Sequence, residues 1–324
     1  MGDAEHRRMT GLVLVVSHGP STDDVHSFVL YTLNGLTAGA LYFLVASGFT
    51  LIFGLMRVVN LAHGSLYLFG GYLGFSAWDS TGSWVLGIVV GAGAMAVVGL
   101  LTQQILLRPI QGQDLRQALV TIGLSIVAAD LLLAHYGGLS YQLTAPDAIN
   151  GATTLPVLSG VVNGLSSLHM PDVIYPTFKL FVFGFAAVVG ILLWLMLNRT
   201  RLGIIVRAAI DDRDMVSALG INIQLVFALL FALGAALAGL AGVMQASTTS
   251  ITTGDDQPYL LASLIVVIIG GMGSLGGAAI GALLVGLVEQ YGLAYAPTNA
   301  EAIIFVMMVI VLALRPQGIL GRPA

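Results

Sequence analysis

Apolar residues in this chain fall into runs of about twenty, with polar residues confined to the gaps between them. Windows of that length mark helices near 28–53, 61–78, 84–107, 117–136, 177–197 and 225–246, with weaker segments near 260–271, 278–295 and 300–314. Some twenty apolar residues is what an α-helix needs to cross the roughly 30 Å hydrocarbon core of a bilayer. The pattern predicts an all-α fold, a polytopic transmembrane helical bundle of about 8–9 hydrophobic segments filling residues 28–324. Residues 1–27 read as a flexible lead-in. Their one apolar run, Gly11 to Val16, is shorter than the core of a signal peptide.

Composition agrees. At 57% hydrophobic and 9% charged residues, with a mean hydropathy of +0.95, the chain is more apolar than a soluble core can use. It has no cysteine, so disulfides, thiolate metal sites and thiol nucleophiles are excluded. Basic residues cluster nowhere outside short loops, which excludes a nucleic-acid surface. One gap stands out for its charge. The stretch 198–224 carries Arg199, Arg201, Arg207 and Arg213 between two membrane-length runs. If it is cytoplasmic, alternation puts these four inside together with Arg57, Arg108, Arg116, Arg315 and Arg322, leaving only Arg7, Arg8 and Lys179 outside. That asymmetry follows the positive-inside bias, with the N-terminus external and the C-terminus cytoplasmic.

The weaker segments seven and eight flank Gly270-Gly271-Met272-Gly273-Ser274-Leu275-Gly276-Gly277, and read either as two spans or as a re-entrant hairpin dipping in from outside. Glycine is abundant, at 41 residues. Several lie four apart (Gly35 and Gly39, Gly70 and Gly74, Gly87 and Gly91, then Gly273, Gly277 and Gly281), a spacing that stacks them on one helix face for close approach of a neighbour within the chain or in a second subunit.

The chemistry that the chain lacks is informative. Its single lysine, Lys179, sits in Thr177-Phe178-Lys179-Leu180, so no phosphate-cradling Gly-x-x-x-x-Gly-Lys loop exists and the chain has no ATPase site of its own. The six histidines form no His-Glu-x-x-His pair, and neither a catalytic constellation nor a metal site is expected. The deepest ionisable residues in the predicted spans are Asp130 and Glu289. They leave open a self-sufficient channel or ion-coupled carrier, or two polar residues facing the bundle interior or a helix end.

Within the charged loop, the aspartates at 211–214 suit a helix start and Gly220 suits its stop, predicting a short helix from about Asp212 to Leu219. Such a helix would carry Met215, Val216 and Leu219 on one side, ready to dock in a partner's groove or to lie on its own bundle. Here Ala208-Ala209 with Gly220-Ile221-Asn222 resembles the coupling-loop signature of ABC importer permeases, in the variant of the branched-chain amino acid permease family. Other segments resemble the same family in order and spacing: residues 35–42, residues 53–64 with Asn60-Leu61-Ala62-His63-Gly64, the glycine run at 270–277, and Arg315-Pro316-Gln317-Gly318-Ile319-Leu320-Gly321-Arg322.

The resemblance implies the permease subunit of an importer for branched-chain amino acids, urea, short amides or small organic acids, in a bacterial inner membrane. It implies pairing with a related permease, two cytoplasmic ATPase subunits that bind the ATP and Mg, and an external solute-binding protein. By the same analogy Arg207, Ala209, Asp211, Asp212 and Asp214, with Met215, Leu219 and Gly220, contact an ATPase. The glutamate that precedes Ala208-Ala209 in the general signature is absent. For the solute path the polar residues Asn34, Thr37, Ser47, Thr50 and Gln245 are candidates, with Asn60 and His63 at the cytoplasmic start of the second helix, where Asn60 suits either an N-cap or a gate. The outer loop 137–175 has a possible hairpin turn at Asn163-Gly164, and either meets the binding protein or caps the bundle.

Overall fold

Each of the nine segments predicted as spans is helical. The computed structural model describes residues 22–56, 60–156 and 172–321. Arg7, Arg8, Arg57, Arg322 and the Asn163-Gly164 turn lie outside these, as does most of the lead-in, although helix α1 already begins at Thr22. In chain order the helices are α1 (Thr22–Met56), α2 (His63–Thr81), α3 (Trp84–Leu101), α4 (Asp114–Tyr136), α5 (Thr177–Arg199), α6 (Arg201–Asp211), α7 (Arg213–Ala218), α8 (Ile223–Thr248), α9 (Asp256–Gly270), α10 (Leu275–Tyr295) and α11 (Ala300–Leu314). A π turn, Thr102–Leu107, and a 3-10 turn, Arg108–Ile110, extend α3. The strands β1 (Ala152–Thr154) and β2 (Ile174–Pro176) pair antiparallel within the outer loop. Among the described residues seven helices are long and apolar enough to cross a membrane; α2 and α9 fall short of that standard.

Helices α1 and α8 form the centre, each mostly buried, with α2, α3, α9 and α10 around them. The glycine pairs serve contacts within the chain. A Cβ on Gly70 would strike the backbone of Gly239 in α8, and one on Gly39 would come within 2.9 Å of the Ala282 carbonyl in α10. Gly74 and Gly87 likewise bring α2 and α3 together. With no side chain between them, backbones meet and dispersion contacts accumulate where hydrophobic driving force is absent in lipid.

The glycine-rich turn between α9 and α10 lies at the same end of the bundle as the last turn of α1. Gly273 packs on Gly54, and Met272 to Gly276 share a cavity with Asn198, Arg207 and Leu320. The C-terminal segment is tied to it, Ile319 N donating to Ile269 O (2.8 Å) and Leu320 N to Gly270 O (3.0 Å). The α3–α4 connection and α6–α7 are at this end too, sharing a cavity with Met56 and Phe227. Among the described residues, the connections that carry arginine are therefore gathered at one end of the bundle.

Helix α2 departs from expectation. Instead of starting at that face, His63 lies beside Val45 and Gly48 of α1, its Nε2 donating to Val45 O (3.0 Å). Val45 is eleven residues before the end of α1, about 16 Å at the α-helical rise. Gly234, which meets Gly48, is eleven residues into α8 and gives the same depth. Helix α2 thus begins about half-way through the bundle. Asn60 does not cap it directly: Ala62 is the N-cap, and Asn60 Oδ1 accepts from Ala62 N (3.1 Å) in a turn just before it. Helix α9 also begins at this level, the Asp256 carbonyl touching Gly64. Two helix N-termini therefore meet deep in the protein. Between them the Asp256 carboxylate, 3% exposed, accepts from Ser65 Oγ (3.2 Å), which also pairs with Ser125 (2.8 Å). A carboxylate stabilises the positive ends of both helices.

Candidate functional site

Two places gather the chemistry-bearing residues, one at each end of the bundle. At the loop end, Thr200 caps α6 by accepting from Gly203 N (3.3 Å), and Asp212 caps α7 by accepting from Met215 N (2.9 Å). Leu219 ends α7 and Gly220 follows with φ +82°, the left-handed geometry that glycine adopts at no steric cost. Met215 and Leu219, one turn apart, are 59% and 73% exposed. Val216 is not on that face. It is 3% exposed and packs with Val206 and Phe227, because adjacent residues in a helix point about 100° apart.

Ala209 is fully buried in the same cluster, which also contains Ile52 and Met56 of α1 and Phe231 of α8. Arg207 turns back to donate to the Leu197 carbonyl, near the end of α5. These two residues bind the loop to the spans, while Met215 and Leu219 face outward. The loop helices are therefore packed on the ends of α1 and α8. Beside them a cleft of about 600 Å³ is lined by Asp114, Asp211, Asp212 and Asp214, with Arg213 and the buried Gln117.

At the other end, three of the path candidates come together. Asn34, Thr37 and Gln245 line a polar chamber of about 160 Å³, joined by Lys179 of α5, Glu289 of α10 and Tyr42 and Tyr259. Lys179 Nζ donates to Asn34 Oδ1 (2.7 Å), Tyr175 Oη donates to the same oxygen (3.1 Å), and the Thr37 and Tyr175 hydroxyls are 3.0 Å apart. Burial pushes the Tyr175 phenol above its ordinary pKa, against a smaller opposing effect of the Thr37 hydrogen bond. Tyr42 Oη donates to Glu289 Oε2 (2.7 Å). Tyr259 also stacks on Tyr67 (4.4 Å between centroids) and lies near Tyr42, making an aromatic layer on the side towards mid-depth.

The remaining candidates lie elsewhere. Thr50 lines the inner cavity shared with Arg207 and Met272. Ser47 is buried and donates to Leu44 O (2.9 Å). Asn60 and His63 are buried at mid-depth. Asp130 is exposed on α4 and does not line the chamber that contains Glu289, so the two carboxylates do not form one site. Sequence reasoning missed Asp256 and the chamber role of Lys179; the one signal for the latter was a lone lysine two residues into an apolar run. Among the described residues no group of three or more His, Asp or Glu side chains could hold a metal. The outer loop reaches in as well: Tyr141 and Ile251 exchange backbone hydrogen bonds (2.9 and 2.8 Å), Leu143 N donates to Ala246 O (2.8 Å), and both Leu143 and Tyr175 are buried.

Comparison with known proteins bears on both ends. The family described as "Branched-chain amino acid transport system / permease component" matches residues 31–312. The chain is 30% identical over 312 residues to the high-affinity branched-chain amino acid transport system permease protein BraD of Pseudomonas aeruginosa, covering 93% of this chain and 98% of that protein. It is 29% identical over 315 residues to the corresponding permease protein LivH of Escherichia coli, covering 91% and 96%. The match takes in the helices that build the chamber and the loop helices that project at the opposite end, and on it this chain belongs to the branched-chain amino acid transport system permease family.

Proposed function

We propose that this protein is a permease subunit of an ATP-driven importer in a bacterial cytoplasmic membrane, moving a small polar solute, most simply leucine, isoleucine or valine. The observation that carries the reading is the pair α6–α7: capped at both starts, anchored through Arg207, Ala209 and Val216, and presenting Met215 and Leu219 outward. A helix fixed to its own bundle on one side and apolar on the other is suited to a groove in a partner. That partner is an ATPase subunit. The importer contains two of them, a related second permease, and an external solute-binding protein at the chamber end. ATP and Mg are bound by the ATPases, and closure of the ATPases moves α1 and α8 as rigid bodies through the buried cluster beneath α6–α7. The N-terminus is external and the C-terminus cytoplasmic.

Mild purification of a tagged copy from native membranes tests this. ATPases and a second permease should be recovered in stoichiometric amounts, and deletion of residues 211–220 should uncouple ATP hydrolysis from uptake. Recovery of the chain alone, transporting in liposomes without ATP, would overturn the proposal in favour of a self-sufficient carrier. In that case Glu289→Gln should abolish coupling.

A further inference from the structure

The outer chamber holds two opposite charges on facing elements without joining them. Lys179, the only lysine in the chain, is contributed by α5, and Glu289 by α10. Each is met by neutral groups: the ammonium by the Asn34 amide oxygen (2.7 Å) and the Tyr175 ring (5.7 Å to its centroid), the carboxylate by the Tyr42 hydroxyl (2.7 Å). An ammonium has three donors and a carboxylate about four acceptor sites, so both have capacity to spare. Partial burial of a charge is costly unless it is compensated. Two uncompensated and opposite charges across one small cavity call for a ligand that carries both signs.

We infer that the chamber is a recognition site for a zwitterionic α-amino acid, with Lys179 facing the ligand carboxylate and Glu289 its ammonium. This rests on the importer reading above and goes beyond it by assigning cargo selectivity to the permease itself. An anionic solute would gain at Lys179 and lose at Glu289; an amine would do the reverse. A neutral amide or urea would form hydrogen bonds there but satisfy neither charge. Discrimination by mismatched charge is a form of negative selection, because a buried charge left without its partner costs more than a missing contact. Asn34 and Tyr42 are positioning residues. Asn34 holds the lysine towards the cavity, and Tyr42 holds the glutamate. The rings of Tyr42 and Tyr259 and the side chain of Leu41 supply apolar surface for an aliphatic side chain.

The test uses the complete complex, purified with its ATPases and binding protein and reconstituted in liposomes, with L-leucine, isopentylamine, 4-methylpentanoate and acetamide as solutes. The parent should carry leucine. Lys179→Met and Glu289→Gln should each lower its ATP-dependent uptake at least tenfold, while Lys179→Arg and Glu289→Asp retain most of it. Co-purification of the ATPases with each variant reports that the chain is folded. Asn34→Ala should raise the KM for leucine more than it lowers the maximal rate. The inference is overturned if the Lys179→Met, Glu289→Gln double variant assembles and carries leucine within twofold of the parent. It is also overturned if the parent complex carries acetamide or 4-methylpentanoate and no amino acid, a result that would leave the importer reading intact. Conversely, leucine uptake that needs no ATP but is lost in both neutralised variants would sink the importer reading and support the chamber assignment.

Discussion

Replacing both Met215 and Leu219 with alanine removes the apolar face that α7 presents. Fully burying a side chain of this size is worth about 1.5–3 kcal/mol relative to leaving it exposed. With 59% and 73% of their surface still open, the two together can supply roughly 2–4 kcal/mol on docking. At 1.4 kcal/mol per decade, the double variant should bind its ATPase about 30- to 700-fold more weakly. The assay is titration of ATPase subunits onto the permease held in nanodiscs, at fixed ionic strength. Val216→Ala is the internal comparison. Its side chain is buried against Phe227 and Val206, so its loss should cost about 2 kcal/mol of folding stability and alter ATPase affinity far less. A double variant that loses under threefold in affinity would refute the reasoning, since the docking face would then lie elsewhere.

The acidic cleft beside α7 should add a salt-sensitive component: ATPase affinity should fall between 0.1 and about 1 M salt as the screening length shrinks from about 10 to 3 Å, and Asp114→Asn with Asp214→Asn should flatten that dependence. Gly70→Val should prevent stable folding, because its side chain would enter the Gly239 backbone. Gly123→Ala, which meets open space, should leave the melting temperature of the detergent-solubilised protein near the parent's. Ser65→Ala should cost about 1–3 kcal/mol by removing a donor from the buried Asp256 carboxylate, seen as a lower midpoint in thermal unfolding; an unchanged midpoint would mean that the carboxylate is satisfied without it.

Hydropathy carried most of the fold. All nine segments became helices, and α11 begins and ends where its apolar run does. The caps of α7 were legible because an aspartate at the start and a glycine at the stop act locally. What was not legible depended on long-range packing. Val216 reads as part of an apolar face in a short window, and only the presence of Phe227 beside it fixes its direction. His63 reads as the inner start of a span, since a hydrophobic run carries no information about the depth at which its helix begins. The chamber was half visible: Asn34, Thr37 and Gln245 stood out as polar residues in apolar runs, whereas Lys179 and Glu289 are 110 residues apart and become partners only when α5 and α10 close around α1.

The half-depth start of α2 bears on how the protein is made. Ten of the first twelve residues of α2 are buried by neighbours, among them Gly64 and Ser65 before Tyr67 and Gly70, Gly71 and Gly74 after it, and the helix falls below the apolarity of the seven candidate spans. Lipid alone gives such a segment little reason to stay; α9, which covers its first turn at Gly64, and α8, which packs on the next turns at Gly70 and Gly71, are synthesised about 190 and 160 residues later. Its place must be held open or reached late, so that membrane insertion and tertiary folding of this protein finish together, once α9 has arrived to meet it.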